Sequence, residues 1–236
     1  LPLAWHFSRV IGARYPNVHF VGVWDTVGSV LVPRPDRLWL PSLELLPYTK
    51  TNPSVRIFRQ ACALDERRRM FRLAHWKQPQ DYVPDRFEPK VAEVQDIEQR
   101  WFAGVHSDVG GGYPEAESGL SKVTLQWMVR EGEAKGLRLS ALAKSDTFPP
   151  QTLGADAAAA VPMKHESLKQ LWWIPELIPR YMKDPANQYL PRWIIPLGHS
   201  RVLLPGASIH ASVFERQKKD PTYVPGNIPA LNAEAR

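Results

Sequence analysis

Two ionisable residues of the sequence each follow an apolar run that is typical of a buried strand. Asp25 comes directly after NVHFVGVW, residues 17–24, and His106 comes directly after IEQRWFAGV, residues 97–105. The ends of buried strands are where α/β folds place their chemistry. An aspartate can accept a hydrogen bond from one imidazole nitrogen and fix the tautomer, which leaves the other nitrogen to act as a general base. The pair therefore matches the acid and base of a serine, aspartate, histidine triad in α/β-hydrolase chain order.

Each of these residues also has an ordinary structural explanation. A histidine at a strand end often makes a hydrogen bond that only stabilises the fold, and the sequence DTVG after Trp24 is also common in turns. Asp108 is a secondary candidate, since it could orient His106 from within the same motif or bind a cation. Gly110 to Gly112 allow a sharp turn, and we expect a larger residue there to crowd the imidazole.

The chain supplies no evident nucleophile for such a triad. No G-x-S-x-G pentapeptide occurs in it, and the residues before Asp25 do not offer the strand, nucleophile and helix that a nucleophile elbow requires. Ser8 lies in WHFSRV without flanking glycines and is predicted to be helical. Cys62 lies among apolar residues, where a free cysteine usually behaves as a small buried hydrophobe. Neither residue is therefore predicted to attack a substrate.

The elements that must position Asp25 and His106 alternate between strands and helices. Apolar residues at helical spacing predict helices over 54–73 and 120–136. The segment 33–53 is predicted to be an irregular proline-rich insertion, and 140–200 is predicted to be a cap or lid region. We expect a single α/β domain over the whole chain, with a mostly parallel central sheet flanked by helices.

The composition narrows the class of protein. Thirty Lys and Arg residues against 24 Asp and Glu give a formal charge of +6, which favours anionic partners. The densest basic group, Arg67 to Arg69, is interpreted as a solvated helix face, and no spacing typical of nucleic-acid binding occurs. The single cysteine excludes an internal disulfide. No apolar run reaches the roughly 20 residues that span a membrane, so we expect a soluble chain, cytoplasmic as synthesised. We expect no metal and no cofactor.

One aromatic cluster has two interpretations. Trp172 and Trp173 lie beside Ile174, Leu177 and Ile178, in a stretch interrupted by prolines. Because the prolines break any amphipathic periodicity, we favour core packing. The alternative is a lipid-facing lid flanked by basic residues, which would give the protein a peripheral membrane contact.

Several motifs together resemble one known family. They are VHFVGVWDTVGSV, ALDERRRMF, RWFAGVHSDVGGGY with SGLSKVTLQWMV, and SVFERQ, which span roughly Val18 to Arg216. They are similar to the α/β-hydrolase family catalogued as domain of unknown function 2235, which includes phospholipase effectors of type VI secretion systems. The resemblance implies an ester hydrolase that acts on lipids, with Asp25 as the acid and His106 as the base.

The resemblance also implies what this sequence lacks. The nucleophilic serine of that family lies in a G-F-S-R-G-like elbow upstream of the acid, and that position would fall before Leu1. We therefore expect a partial hydrolase domain without its first strands and its serine, inactive by itself, whose intact parent is secreted into a target cell and meets an immunity protein. The alternative is a non-catalytic hydrolase-like module that binds other molecules. The substrate-binding residues cannot be assigned from the sequence.

Overall fold

A computed structural model describes most of the chain, namely residues 2–12, 16–33, 41–45, 49–85, 87, 92–147, 161–182, 192–203 and 206–228. The helices are α1 (Pro2–Val10), α2 (His106–Gly110), α3 (Gly119–Ala134), α4 (Ala141–Thr147), α5 (Trp173–Glu176) and α6 (Ala211–Lys219). Single 3₁₀ turns cover Glu115–Glu117 and Gln170–Trp172. The strands are β1 (Val18–Trp24), β2 (Ser29–Pro33), β3 (Pro41–Leu45), β4 (Val55–Ala63), β5 (Asp81–Tyr82), β6 (Glu93–Val94), β7 (Asp96–Phe102), β8 (Arg180–Met182), β9 (Arg192–Ile194) and β10 (Ser208–Ile209).

Four parallel strands form the central sheet, in the order β1, β4, β7, β10. One face of the sheet packs against α3, so closely that a Cβ on Gly22 would lie 2.6 Å from the sulfur of Met128. In a separate cluster of the hydrophobic core, Phe58 stacks on Trp76, with ring centroids 4.1 Å apart. The predicted α/β fold with a mostly parallel sheet is therefore confirmed. Because all four strands run the same way, the loops that follow β1 and β7 meet at one edge of the sheet.

The prediction of a helix over residues 54–73 is wrong. This segment contains β4, which lies between β1 and β7 and is buried at every residue except Arg56. A central strand of a parallel sheet is covered on both faces, so its apolar residues form a continuous run that does not alternate with polar ones. Such a run also satisfies helical spacing over nine residues, and periodicity alone cannot separate the two.

The other predicted elements near the site agree with the structure. Strand β1 covers 18–24, and α3 covers 119–134 within one or two residues of the prediction. Strand β7 ends at Phe102, three residues earlier than the predicted 105, so a short loop separates it from His106. The described part of the predicted irregular segment 33–53 includes a regular strand, β3, paired antiparallel with β2; residues 34–40 and 46–48 lie outside the described residues.

The predicted cap region, 140–200, contains short elements in its described parts. These are α4, α5 and the antiparallel pair β8 and β9, while residues 148–160 and 183–191 lie outside the described residues. None of the described helices is long and apolar enough to cross a membrane.

The turn that presents His106 depends on Gly104. Its φ of 114° lies in the region that favours glycine, and a Cβ there would lie 2.5 Å from the Cβ of Asp108. Helix α2 begins at His106, and Gly111, with φ of 81°, ends it by donating its N–H to the carbonyl of Ser107 at 3.0 Å. A glycine at each end therefore fixes the five residues that begin with His106.

Replacing Gly104 by alanine should destabilise the protein by about 2–4 kcal/mol, because a strained φ and a steric overlap add. Gly110→Ala is the matched control, since a Cβ at Gly110 meets nothing within 4 Å. Urea denaturation of both variants measures the free energy of unfolding. Equal stability of the two variants would show that the turn at Gly104 relaxes without cost.

Candidate active site

The structure brings together the two residues that the sequence analysis selected. The Nδ1 of His106 lies 2.7 Å from Oδ2 of Asp25, although 81 residues separate them. The Asp25 side chain is fully buried, whereas 28% of the His106 side chain is exposed. Within the described residues, no hydroxyl or thiol is hydrogen bonded to the His106 ring. The Nε2 edge of the ring is therefore the part of this pair that can face another molecule.

Asp25 is held by donors from distant parts of the chain. Its Oδ1 accepts the backbone N–H of Ala63 at 2.8 Å. Arg201 donates to both carboxylate oxygens, from Nη1 to Oδ1 at 2.5 Å and from Nη2 to Oδ2 at 3.0 Å. The same guanidinium donates to the carbonyls of Ala63 and Phe71, at 2.9 and 2.5 Å. Asp25 itself has φ of 42°, an uncommon angle for a residue other than glycine.

Opposing effects set the pKa of the Asp25 carboxyl. Burial raises this pKa, because a charged group loses its hydration, while the charge of Arg201 and hydrogen bonds from His106, Arg201 and Ala63 lower it. The lowering effects together exceed the effect of burial, and the pKa falls to about 2. Asp25 is therefore ionised at neutral pH, and a carboxylate is the form that can accept a hydrogen bond from the Nδ1–H of His106.

The sequence analysis missed Arg201. This arginine lies 176 residues from Asp25 in a stretch without regular structure, and only 10% of its side chain is exposed. Burial lowers its pKa, but the carboxylate of Asp25 more than offsets this effect and raises the pKa overall. Nothing in the sequence around Arg201 marks it as a partner of Asp25, since basic residues are scattered through the whole chain.

A second buried carboxylate, Glu66, supports the backbone of His106. Its Oε2 accepts the His106 N–H at 3.1 Å, and Oε1 accepts the hydroxyl of Ser167 at 2.9 Å. Arg68 donates to both oxygens of Glu66, at 3.0 and 2.9 Å, and its side chain is only 10% exposed. The interpretation of Arg67 to Arg69 as a solvated helix face is therefore wrong: these residues lie in a loop, and Arg68 is committed to a buried ion pair.

The secondary candidate, Asp108, contacts a histidine other than His106. Its carboxylate accepts the backbone N–H groups of Val105 and His165, at 3.0 and 3.1 Å, and lies 2.6 Å from Nδ1 of His165. The other nitrogen of His165 lies 3.1 Å from Glu117. Asp108 thus fixes the turn before His106 and does not touch the His106 ring. Across the described residues, no group of three potential metal ligands is arranged to hold a cation.

The glycine run after His106 serves a different purpose from the one expected. A Cβ at Gly111 would lie 3.8 Å from the Cβ of Ser121, and one at Gly112 would lie 3.0 Å from the Cβ of Ser107. Neither position faces the imidazole. Gly111 therefore ends α2, and Gly112 lets the chain turn closely past Ser107, whereas the predicted crowding of His106 by a larger residue is not what the structure shows.

Aromatic side chains line one side of His106. The ring of Phe71 lies 5.0 Å from the His106 ring, and Trp172 meets Phe71 edge-on at 5.5 Å. The guanidinium of Arg68 lies 3.7 Å from the Phe71 ring and 4.7 Å from the Trp172 ring. This contact brings the predicted cap region directly against the loop that carries the site.

The favoured interpretation of the aromatic cluster as core packing is wrong. Six large apolar side chains of this stretch are 37–77% exposed: Leu171, Trp172, Trp173, Ile174, Leu177 and Ile178. We call them the apolar patch. A contiguous patch of this kind on a protein surface commonly marks an interaction site.

Cys62 behaves as the sequence analysis predicts. It is completely buried in the hydrophobic core, although in β4 and not in a helix, and burial raises the pKa of its thiol well above the usual range. Ser8 lies in α1, as predicted.

Comparisons with known proteins identify one family and one distant relative. Residues 3–131, more than half of the chain and including both Asp25 and His106, match the family described as T6SS, Phospholipase effector Tle1-like, catalytic domain. The uncharacterized protein YEL023C of Saccharomyces cerevisiae is 38% identical over 52 residues, which cover 21% of this chain and 8% of the yeast protein. No solved structure matches the chain.

The Asp25 carboxylate should make stability depend on pH in the acid range. Because its pKa is depressed to about 2, the stabilisation is complete above the unfolded value near 4 and is lost as the pH falls through about 2. In the wild type, this contribution of Asp25 to the free energy of unfolding should be about 2 kcal/mol. Asp25→Asn lacks this contribution, and it should also be less stable at neutral pH because Arg201 loses its charged partner. Urea denaturation between about pH 6 and pH 2 measures both effects.

Asp81→Asn is the control for this experiment, since Asp81 is an exposed residue. Its stability should follow that of the wild type at every pH. An acid dependence in Asp25→Asn as steep as that of the wild type would contradict the assignment.

Proposed function

Because the chain belongs to the Tle1-like family of type VI secretion phospholipase effectors, we propose that Asp25 and His106 are the acid and base of a serine-type phospholipid ester hydrolase. The observation that carries this proposal is the 2.7 Å contact between His106 Nδ1 and the buried Asp25 carboxylate, in a histidine whose side chain is 28% exposed. Both residues lie within the segment that matches the family. The proposal assigns no serine of the described residues as the nucleophile, since none of them is hydrogen bonded to the His106 ring.

Each atom of the pair has a role in the proposed reaction. Asp25 accepts the Nδ1–H of His106, so that the unprotonated Nε2 takes the hydroxyl proton of the serine as its oxygen attacks the ester carbonyl carbon. His106 then gives this proton to the alcohol that leaves, which breaks the ester bond and leaves an acyl-serine. Water attacks the acyl-serine by the same route, and the fatty acid is released as the serine is restored.

Arg201 acts in this scheme as a positioning residue. Its bonds to both oxygens of Asp25, and to the carbonyls of Ala63 and Phe71, leave the carboxylate one orientation towards the His106 ring. The guanidinium also keeps the carboxyl ionised, since it lowers the pKa of Asp25 against the effect of burial. An ionised and fixed aspartate is what stabilises the imidazolium that forms when serine loses its proton.

His106→Ala should abolish phospholipid hydrolysis by the protein, because no other imidazole among the described residues contacts Asp25. Asp25→Asn should lower kcat by roughly 10³–10⁴-fold, since the amide favours the wrong tautomer. Fatty acid release from phospholipid vesicles measures both variants. His19→Ala is the matched control, because His19 is exposed and, among the described residues, its side chain hydrogen bonds only to the carbonyl of Lys135.

Undiminished hydrolysis by His106→Ala would show that the catalytic pair is assigned wrongly. Vesicle binding by the full-length wild type without any release of fatty acid would favour the alternative, a non-catalytic binding module.

The apolar patch supports a further part of the proposal, a peripheral contact with the lipid surface. Trp172 belongs to the patch and also packs against Phe71, which packs against His106. The patch therefore continues from the solvent directly to the proposed base. Exposed Trp and Leu side chains of this kind insert into the boundary between headgroups and acyl chains. A hydrolase of lipids needs its substrate delivered from such a surface, and the patch meets that need.

Replacing Leu171 and Leu177 together by serine should weaken binding to phospholipid vesicles about tenfold or more, because two exposed leucines no longer reach the lipid. Leu139→Ser with Leu142→Ser is the matched control, since both of these leucines are also exposed but lie outside the patch. Vesicle flotation measures the bound fraction, and circular dichroism checks that both variants are folded. Equal weakening by the two double variants would rule out the patch as the contact.

A further inference from the structure

Three consecutive backbone N–H groups at the start of α2 are each held by a carboxylate. They belong to Gly104, which donates to Asp65 at 2.7 Å, Val105, which donates to Asp108 at 3.0 Å, and His106, which donates to Glu66 at 3.1 Å. His106 is the first residue of α2, so its side chain leaves the backbone directly at this turn. The three carboxylates together therefore set the position from which the imidazole is presented.

Two of these carboxylates differ in how they are supported. Glu66 accepts hydrogen bonds from the Arg68 guanidinium at both of its oxygens, at 3.0 and 2.9 Å. Among the described residues, the donors to Asp108 are the N–H of Val105 and two groups of His165. The backbone N–H of His165 lies 3.1 Å from Oδ2, and its Nδ1 lies 2.6 Å from Oδ1. The orientation of Asp108 therefore depends on a single residue, His165.

The ring of His165 is itself held in a defined orientation. Its side chain is 13% exposed, and the ring stacks on Tyr113 with centroids 3.5 Å apart and an angle of 13° between the planes. At the outer edge of the ring, Nε2 lies 3.1 Å from Oε2 of Glu117. The stacking fixes the plane of the ring, and the contact with Glu117 fixes its rotation. Nδ1 is therefore aimed at Asp108.

One oxygen of Asp108 depends entirely on this imidazole. Asp108 is only 2% exposed, and Nδ1 of His165 is the one donor to Oδ1 within the described part of the chain. A buried carboxylate oxygen without a donor is unfavourable, so without the imidazole we expect the carboxylate to rotate towards water or to bind a proton. Either change weakens its hydrogen bond to Val105, the residue directly before the proposed base.

We propose that His165 is a positioning residue for His106 and acts on it through Asp108. The turn then lies between two aspartate–histidine pairs with different tasks. Asp25 orients the imidazole ring of His106, while Asp108 and His165 fix the backbone that carries this ring. His165 belongs to the described segment 161–182, which also carries the apolar patch, so the attachment of this segment and the position of the base are coupled. The catalytic consequence rests on the proposed function, whereas the effect on the turn does not.

Two substitutions separate the donor of His165 from its ring. His165→Phe keeps a ring that can stack on Tyr113 but removes the Nδ1 donor, whereas His165→Asn keeps a donor near the Nδ1 position without the ring. Amide hydrogen exchange of Val105, followed by NMR, should be about tenfold faster or more in His165→Phe and close to the wild-type rate in His165→Asn. An unchanged rate in His165→Phe, or equal acceleration in both variants, would overturn the proposal.

Two more variants complete this comparison. His165→Gln carries its amide near the position of Nε2, so it is a second variant without the Nδ1 donor and should behave as His165→Phe does, even where the latter does not fold. Ser167→Ala is the matched control, since it removes a contact from the same segment to the other carboxylate of the turn. Both oxygens of Glu66 keep donors from Arg68, so the exchange rate of Val105 should stay within about twofold of the wild type. Acceleration in Ser167→Ala as large as in His165→Gln would show that loosening of the segment by any means frees the turn, against a specific role of His165.

Two readouts connect the turn to the base. The Nδ1–H proton resonance of His106, identified by its absence in His106→Ala, should shift in His165→Phe and return towards its wild-type position in His165→Asn. In fatty acid release from phospholipid vesicles, His165→Phe should lower kcat by about tenfold to a hundredfold with little change in KM, and His165→Asn should restore most of it. An unchanged Nδ1–H resonance, or a change confined to KM, would contradict the positioning role. If the wild type releases no fatty acid while His165→Phe still frees the turn and shifts the resonance, the proposed hydrolysis fails and the positioning of His106 by His165 stands.

Discussion

The arrangement of this protein around its site depends on one buried charge, the carboxylate of Asp25. An ionised carboxylate without water needs several donors, and here they come from β4, from α2 and from a segment near the end of the chain. Ala63, His106 and Arg201 converge only when the sheet has formed and the stretch that carries Arg201 lies against Asp25. The fold and the site are therefore specified together, since the donors that stabilise the buried charge also fix the orientation of the carboxylate towards the His106 ring.

Three more buried carboxylates attach residues 161–182 and 192–200 to this core. Glu66 binds Ser167, Asp108 binds His165, and Glu176 accepts the backbone N–H groups of Arg69 and Gly198 at 2.6 and 3.3 Å. All three acids are at most 2% exposed. The region is therefore attached largely through polar contacts with defined geometry. These polar contacts act together with the buried side chain of Leu168, so the apolar patch can face outward while the same region stays close to His106.

The sequence allowed the pairing of Asp25 with His106 to be predicted, but not the residues that support this pair. Asp25 and His106 could be predicted because each follows an apolar run, and parallel strands bring such positions to one edge of the sheet. Arg201 could not be predicted, because a contact across 176 residues in an irregular stretch leaves no periodic or motif signal. The burial of Arg68 was missed for a different reason: its partner Glu66 lies only two residues away, but nothing in the sequence shows that the loop that carries both residues is buried.

Two further errors have a common physical origin. The apolar spacing in β4 fits a helix as well as a doubly covered strand, and the apolar residues near Trp172 fit a core as well as a surface patch. In each case the residue types show that apolar side chains are present, but only the tertiary structure determines whether another part of the protein covers them. Apolar composition therefore predicted the presence of a core here, and not which apolar residues belong to it.

The charges around Asp25 and His106 indicate how Arg201 supports this pair. Its guanidinium and the imidazole of His106 are both donors to the Asp25 carboxylate, and Nη2 and Nδ1 share the same oxygen, Oδ2. A carboxylate whose charge is already compensated by an arginine attracts an imidazolium less strongly than an isolated one would. The contribution of Arg201 is therefore geometric: through Asp25 and the carbonyl of Phe71 it fixes the carboxylate and the aromatic ring that contact His106, so that one buried cation positions two neighbours of the imidazole.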